Sequence, residues 1–472
     1  LIHFFVLSKE FWMIFAYLYI RGMSLMINVE MFYGRQTTAI SCREDEEKLN
    51  ELPSLEKRPA VKIDKKFLFC QRCGKKTPLK EVLLPNGDFY CPHCIMLGRM
   101  STSTILYSIK EPNAFQKYGS DVLSWHGKLS NQQKTASDSL LKAASLPGDH
   151  LLWAVTGAGK TEMTFATLQD ALIKGKRICF AAPRIDVINE LFPRLKAAFA
   201  TVDIICLHSR SNAKYRYTQF VLCTTHQLMR FYRAFDLIII DEVDSFPFLG
   251  NESLEYAAKN ALKAGGTRLF LTATPDEKLQ RRIKKKEIDV IYLPIRFHQN
   301  PLPVPKVVCC FRLREKLFSE RIPGAVKKSL TEFENEGYPF LVFVPTIDLL
   351  EKVHEILHEI LSESCSGTTV HAGDPERIEK VQAMRDGKYR YLVTTTILER
   401  GVTFPKLNVL VLCADASEFN LPALVQIAGR AGRSSERPDG HVRFFCDNYT
   451  KRVKGSIEQI KRMNRKARRY CK

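Results

Sequence analysis

Leu151 to Met163 reads Leu-Leu-Trp-Ala-Val-Thr-Gly-Ala-Gly-Lys-Thr-Glu-Met, an apolar run that breaks into a glycine-rich turn and resumes with helix formers. Residues of these types at this spacing hold phosphate. Gly157 and Gly159 permit a tight turn with inward-facing N–H groups, and the helix N-terminus that follows adds positive dipole. Lys160 is expected to reach the β/γ-phosphates and Thr161 to hold Mg²⁺. Ala154 stands where the common pattern has glycine, so the loop alone indicates only a nucleotide site. Further along, Asp236-Leu-Ile-Ile-Ile-Asp-Glu-Val-Asp244 is an apolar run ending in acids. With Lys160 and Thr161 upstream, Asp241 is placed to hold Mg²⁺ and Glu242 to orient and polarise an attacking water. Gln426-Ile-Ala-Gly-Arg-Ala-Gly-Arg433 sets two arginines three apart, expected on one helix face. From there Arg430 and Arg433 would reach a γ-phosphate and stabilise transition-state charge.

A second chemistry lies nearer the start. Cys70-Gln-Arg-Cys73 and Cys91-Pro-His-Cys94 are two C-x-x-C turns that can present four thiolates tetrahedrally, which suits Zn²⁺. Asn86-Gly87 between them reads as a hairpin turn, and the whole as a small zinc ribbon. His93 is expected at the surface, because Cys70, Cys73, Cys91 and Cys94 already complete the site.

These groups need rigid elements behind them. From about Leu123, strands ending in Gly, Thr or Pro alternate with amphipathic helices, as in a parallel α/β sheet whose ligands bind at strand carboxyl ends. Leu129 to Gln133 opens a helix ahead of the phosphate loop, and Arg177 to Ala182 delivers Pro183-Arg184 to a strand end. Thr272 to Thr274 offers hydroxyls suited to linking the nucleotide site to a neighbouring domain. The proline-rich stretch 294–305 reads as a hinge before a second α/β series, in which Tyr391 to Phe404 brings Thr394 to Gly401 to another strand end. The expected division is an N-terminal extension, partly disordered (1–66), the ribbon (67–100), a linker (101–122), a first domain (123–293), the hinge (294–305), a second domain (306–448) and a basic C-terminal helix (449–472).

A formal charge of +20 points to a polyanionic partner, nucleic acid ahead of acidic membrane. Tyr449 to Lys472 carries ten Lys/Arg against Glu458 alone, which reads equally as a solvated helix face or a phosphate-contacting one. Dispersed thiols outside the four-cysteine cluster suit a reducing cytoplasm. Leu1 to Tyr33 is rich in Phe, Ile, Leu and Met, but its uncharged run Phe11 to Ile20 is too short to span a bilayer and lacks a convincing cleavage site. It is read as upstream sequence from a misassigned start, with Met23, Met26 and Met31 as alternative starts.

Ala154 to Thr161, Asp241 to Asp244, Thr272 to Thr274, Thr394 to Gly401 and Gln426 to Arg433, in this order, resemble the motifs of superfamily 2 helicases and translocases over roughly residues 123 to 448. A four-cysteine module ahead of them, together with Thr-Thr-His-Gln-Leu and Asp-Glu-Val-Asp, is similar to the ComFA family of late-competence proteins. The resemblance implies two RecA-like parallel-sheet motor domains in tandem after the zinc ribbon, using ATP, Mg²⁺ and Zn²⁺. It extends the nucleotide-binding set to Gln133, Thr156, Gly157, Ala158, Gly159, Lys160, Thr161 and Glu162, and the catalytic set to Lys160, Asp241, Glu242, Gln426, Arg430 and Arg433. It implies a DNA-stimulated ATPase that draws transforming single-stranded DNA into the cytoplasm, peripheral at the inner face of the membrane beside the uptake channel and other competence proteins, without inserting, and compatible with an oligomer. Two alternatives stand beside it: a primosomal replication-restart helicase, which places its cysteines inside the second motor domain, and a zinc-dependent adaptor using the nucleotide only as a gate.

Overall fold

The computed structural model describes residues 27–470 apart from Pro53 and residues 212–213. Of the apolar segment 1–33, residues 1–26 lie outside them, and with them that part of the reading as upstream sequence; residues 27–33 lie inside, with Phe32 in a small core.

The first α/β domain is a seven-stranded parallel sheet. Its strands are β6 (Gly148–Ala154), β7 (Ile178–Ala182), β8 (Ile204–Leu207), β9 (Phe220–Thr224), β10 (Phe235–Ile240), β11 (Leu262–Thr272) and β12 (Asp289–Leu293), ordered β12-β6-β11-β10-β7-β9-β8 and numbered after five strands of the N-terminal module. They are near-continuous apolar runs because a parallel sheet is covered on both faces. Leu152, Phe180, Ala182, Leu237 and Ile239 share one core with Leu140 and Leu168, while Leu151, Cys179, Ala181, Ile238 and Ile240 share the other with Leu254 and Ala258. That split is the period of two along each strand. The second domain repeats the design with β13 (Lys306–Cys309), β14 (Phe340–Phe343), β15 (Gly367–Val370), β16 (Tyr391–Thr394), β17 (Asn408–Val411) and β18 (Val442–Cys446), ordered β13-β18-β17-β14-β16-β15 and all parallel.

The N-terminal part departs from expectation. Residues 41–66, within the extension expected to be partly disordered, hold a helix at Glu46–Asn50 and strands β1 (Glu56–Pro59) and β2 (Val61–Asp64). Strand β2 joins β3 (Phe67–Cys70) and β4 (Lys76–Pro78) in the ribbon's sheet, and β1 pairs with β5 (Ile105–Ser108), inside the expected linker. Phe32, Leu49, Tyr107 and Ile109 close a small core beneath them. Sequence reasoning saw charge and no periodicity, because elements of four or five residues carry too few apolar positions to show a period.

This module is seated on the first domain. Cys70, Leu68 and Val61 share a core with Cys179 and Leu254. Tyr256 donates to the Gln71 carbonyl (3.3 Å) from the helix Glu252–Ala261, whose Glu252 pairs with Lys75 (2.8 Å). The Arg177–Glu111 ion pair is buried, and Arg177 also donates to the Tyr33 carbonyl (3.0 Å).

The basic C-terminal helix, Lys451–Tyr470, is half core: Val453, Ile457, Ile460, Met463 and Ala467 are buried at helical spacing. It packs on Leu421–Ala428 of the second domain and reaches the first, where Tyr292 donates to Met463 Sδ (2.9 Å) and Lys466 lies over the Tyr292 ring (4.5 Å). Asn464 exchanges two 2.8 Å hydrogen bonds with the backbone of Leu302, so the proline-rich connector is fastened at that point.

Candidate active site

Strand β6 ends at Ala154 and the chain turns through Gly157 and Gly159 (φ +78° and +75°) into the helix Lys160–Met163. A left-handed turn of this kind is open to glycine without strain. Gln133 accepts from Ser130 N (2.8 Å) in a capping box and donates to the Ala158 carbonyl (2.9 Å), so its amide braces the loop. Glu162 is paired with Arg194. Burial lowers the proton affinity of Lys160, while Asp241 and Glu242 oppose that shift.

Strand β10 brings Asp241, Glu242 and Asp244 to the same edge. Glu242 has φ +52°, a left-handed conformation that is uncommon and strained for a side chain of its size. Its Oε2 is buried with no hydrogen-bond partner, and burial pushes its carboxyl up to about 7 against the pull of Arg400. Burial raises Asp241 as well, with Lys160 opposing. Asp244 behaves oppositely: burial is outweighed by Arg400 and by the Thr272 and Thr274 hydroxyls, which hold it below the usual carboxylate range.

Arg400 comes from the second domain. Its Nη2 lies 2.7 Å from Asp244 Oδ2 and its Nη1 3.7 Å from Glu242 Oε2, with Arg400 and Asp244 buried and Glu242 partly so. Thr156 donates to Gln426 Oε1 (3.1 Å), and Gln426 donates to Thr274 (3.4 Å), whose hydroxyl donates to Asp244. One chain of contacts therefore joins the phosphate loop, the acidic strand end and the second domain. Gly429 completes the approach: a Cβ there would stand 2.8 Å from that of Thr156.

Arg430 and Arg433 do not share a helix face. The helix stops at Ala428 with Gly429 as its cap, because Arg296 takes the carbonyls of Gly429 (3.3 Å), Ala431 (2.8 Å) and Gly432 that a continuing helix would need. Arg433 lines the cleft and donates to Thr403 (3.2 Å). Arg430 is buried behind it, all three guanidinium nitrogens unpartnered and its pKa pushed down to about 9 by burial, with the charge of Arg433 adding to the shift. The cleft of about 580 Å³ is lined by Gln133, Thr156 to Glu162, Asp241, Glu242, Arg400, Gln426 and Arg433. Orphaned cationic nitrogens beside a phosphate loop, with acids opposite, suit a nucleotide polyphosphate and its cation. Arg400, Arg296 and Arg194 were missed in the sequence because each works through a partner distant in the chain; Glu399-Arg400-Gly401 at a strand end was the one available signal.

At the other site the Cys70, Cys73, Cys91 and Cys94 sulfurs are buried within 4.8 Å of one another, with Cys70–Cys94 at 3.7 Å and Cys73–Cys91 at 3.6 Å. A tetrahedron with Zn–S bonds near 2.3 Å has edges of roughly 3.8 Å, so the donor set fits zinc. Arg72 donates to Cys94 Sγ (3.4 Å), and His93 is exposed.

Three families match in register with this architecture: Competence protein ComFA N-terminal domain over residues 29–108, Type III restriction enzyme, res subunit, over 126–277, and Helicase conserved C-terminal domain over 324–435. Competence protein ComFA of Bacillus subtilis (strain 168) is 42% identical over 408 residues, 86% of this chain and 87% of the relative. Its counterpart from Streptococcus pneumoniae is 40% identical over 443 residues, 94% of this chain and all of the relative. The chain belongs to the ComFA family. Its fold is shared with S. cerevisiae Dbp5 bound to RNA and ADP BeF3, at TM-score 0.54 and 16% identity, covering 72% of this chain and 88% of that one. The ComFA family here carries a superfamily 2, helicase-like ATPase built from two RecA-like domains, with ATP and Mg²⁺ as its nucleotide and cation. Among the described residues no helix is long and apolar enough to cross a membrane.

Proposed function

We propose that this protein is an ATP-driven translocase on single-stranded DNA that draws transforming DNA inward during natural competence. The observation that carries the motor reading is Arg400: a side chain of the second domain sits between Asp244 and Glu242 of the first, so the group that handles water is positioned only when the two domains meet. Lys160 and the loop N–H groups hold phosphate oxygens, Thr161 and Asp241 would hold Mg²⁺, and Glu242 accepts a proton from the attacking water. The cation supplies charge neutralisation on the phosphates. Arg433, with Arg430 behind it, meets negative charge as it grows at the γ-phosphate. The kinship with the two ComFA proteins supports the competence role, and the +20 charge supports a polyanionic track; a place beside the uptake channel is proposed with them. The four thiols are proposed to hold structural Zn²⁺.

ATP hydrolysis measured with single-stranded DNA, duplex DNA and RNA in parallel tests the reading. Single-stranded DNA is expected to stimulate most, and Glu242→Gln to abolish turnover while nucleotide and DNA still bind. Wild-type turnover by Glu242→Gln would falsify the assignment of that residue. Equal rates with and without every nucleic acid would return the chain to a nucleotide-gated adaptor.

A further inference from the structure

The seam between the N-terminal module and the first domain encloses a second basic pocket, of about 280 Å³, away from the nucleotide cleft. Its walls come from three places. His208 and Ser209 follow β8, Gln227 and Arg230 follow β9, and Arg35 is brought in by the N-terminal module. Strands β7, β8 and β9 run parallel, so these residues stand on the same carboxyl-end rim as Pro183-Arg184 and the nucleotide cleft.

Arg35 is held firmly. Its backbone forms an antiparallel bridge with Phe231, Gln36 N donates to the Arg230 carbonyl (3.0 Å), and Tyr232 N donates to the Gly34 carbonyl (2.9 Å). Its guanidinium stacks on the Tyr215 ring at 3.9 Å, and the Tyr215 hydroxyl is fixed by Arg177 Nη2 (2.8 Å). The side chain is 9% exposed, yet Nε has no hydrogen-bond partner, and the described residues lining the pocket include no carboxylate. A buried cation facing another, Arg230, with neither neutralised by a pocket acid, is costly unless an anion completes it. Burial lowers the proton affinity of both arginines, as expected of cations awaiting a counter-charge. Arg210 N donates to His208 Nδ1 (3.2 Å), which leaves the Nε2–H of that ring as a further donor.

We propose that this pocket binds a backbone phosphate of single-stranded DNA, with Arg35 and Arg230 as its charged arms, so that the N-terminal module forms part of the track. A planar guanidinium stacked on an aromatic ring with its edge free is suited to a phosphate fork. The proposal rests on the nucleic-acid reading above and adds a place and a residue from the N-terminal module.

The test uses the full chain with a non-hydrolysable ATP analogue and a fluorescent oligo-dT, its affinity measured across a salt series. Removing one phosphate interaction with a single strand flattens the log–log salt slope by about 0.7. Arg35→Gln and Arg230→Gln are each expected to flatten it by that amount and to weaken binding roughly tenfold or more, with Arg35→Lys recovering the slope but not the full affinity. If Arg35→Gln melts early, Arg230→Gln, at the more open side of the pocket, decides. An abasic oligonucleotide should compete and inorganic phosphate at the same phosphate concentration should not; the reverse result overturns the strand assignment. Wild-type slopes in both glutamine variants overturn the pocket while leaving DNA binding intact, whereas a wild-type protein that binds no oligo-dT removes the translocase reading and the pocket with it.

Discussion

Arg400 ties the second domain to the acidic strand end of the first. Its partner Asp244 lies 156 positions away and both are buried, so Asp244, though it accepts from Thr272 and Thr274 of its own domain, gains its ion-pair partner only when the sheets are apposed. Replacing Arg400 with Ala leaves an uncompensated buried carboxylate, at about 3–5 kcal/mol. The expected outcome is a kcat lowered by at least ~100-fold with nucleotide affinity retained, read by steady-state kinetics beside equilibrium binding of a fluorescent ATP analogue. Arg433→Ala is expected to lower kcat by roughly 10³ at unchanged nucleotide affinity, as removal of an arginine finger does; a kcat within twofold of wild type would place Arg433 outside the reacting centre. Lys160, Thr161, Asp241 and Glu242 were legible because short-range spacing defines a phosphate loop and an acidic strand end. The left-handed φ of Glu242 and the role of Arg400 were not, since one is a backbone state and the other a pairing between distant segments.

At the scale of elements, the strands read clearly because a buried parallel strand is a solid apolar run, as in Ile178–Ala182 with all five residues buried. The C-terminal helix misled because its charge drew attention away from its period: Val453, Ile457, Ile460, Met463 and Ala467 face inward beneath the helix's nine basic residues. Deleting Arg452 onward would therefore strip a core rather than probe a tail. Ile460→Ala is expected to destabilise by about 2–4 kcal/mol and to lower the melting temperature in calorimetry, while Lys461→Gln, on the exposed face, leaves it unchanged. An unchanged melting temperature for Ile460→Ala would mean that the helix is not docked in solution. Arg296 shows the same lesson in the connector, where the proline-rich stretch read as a hinge carries a buried clamp on three carbonyls.

For the molecule as a whole, the N-terminal module, both sheets and the C-terminal helix share continuous contacts, and the four thiols lie on the same core as the helix that follows the acidic strand end. Cys70→Ser is expected to release zinc, seen by metal analysis as the loss of about one ion per chain, and to raise hydrogen exchange both in the ribbon and along Glu252–Ala261. Exchange confined to the ribbon would show that the module's seat is indifferent to its order. Removing zinc by chelation from the wild-type protein should reproduce the pattern, since metal binding in so small a segment is coupled to its folding.

The seat also sets a timetable. Gln71 and Tyr256, joined in the finished molecule, are 185 positions apart. At ribosomal rates of ~5–20 residues per second, the ribbon emerges about 10–40 s before the helix it rests on has been made. Through that interval its inward face, which includes Leu68 and Val61, lacks the core it shares with the first domain, and a metal held by the four sulfurs would be the local cross-link that keeps it shaped. If the four thiols hold zinc as proposed, the ion's earliest service would be to biogenesis: it would let the first part of the protein wait, already shaped, for the part that will hold it.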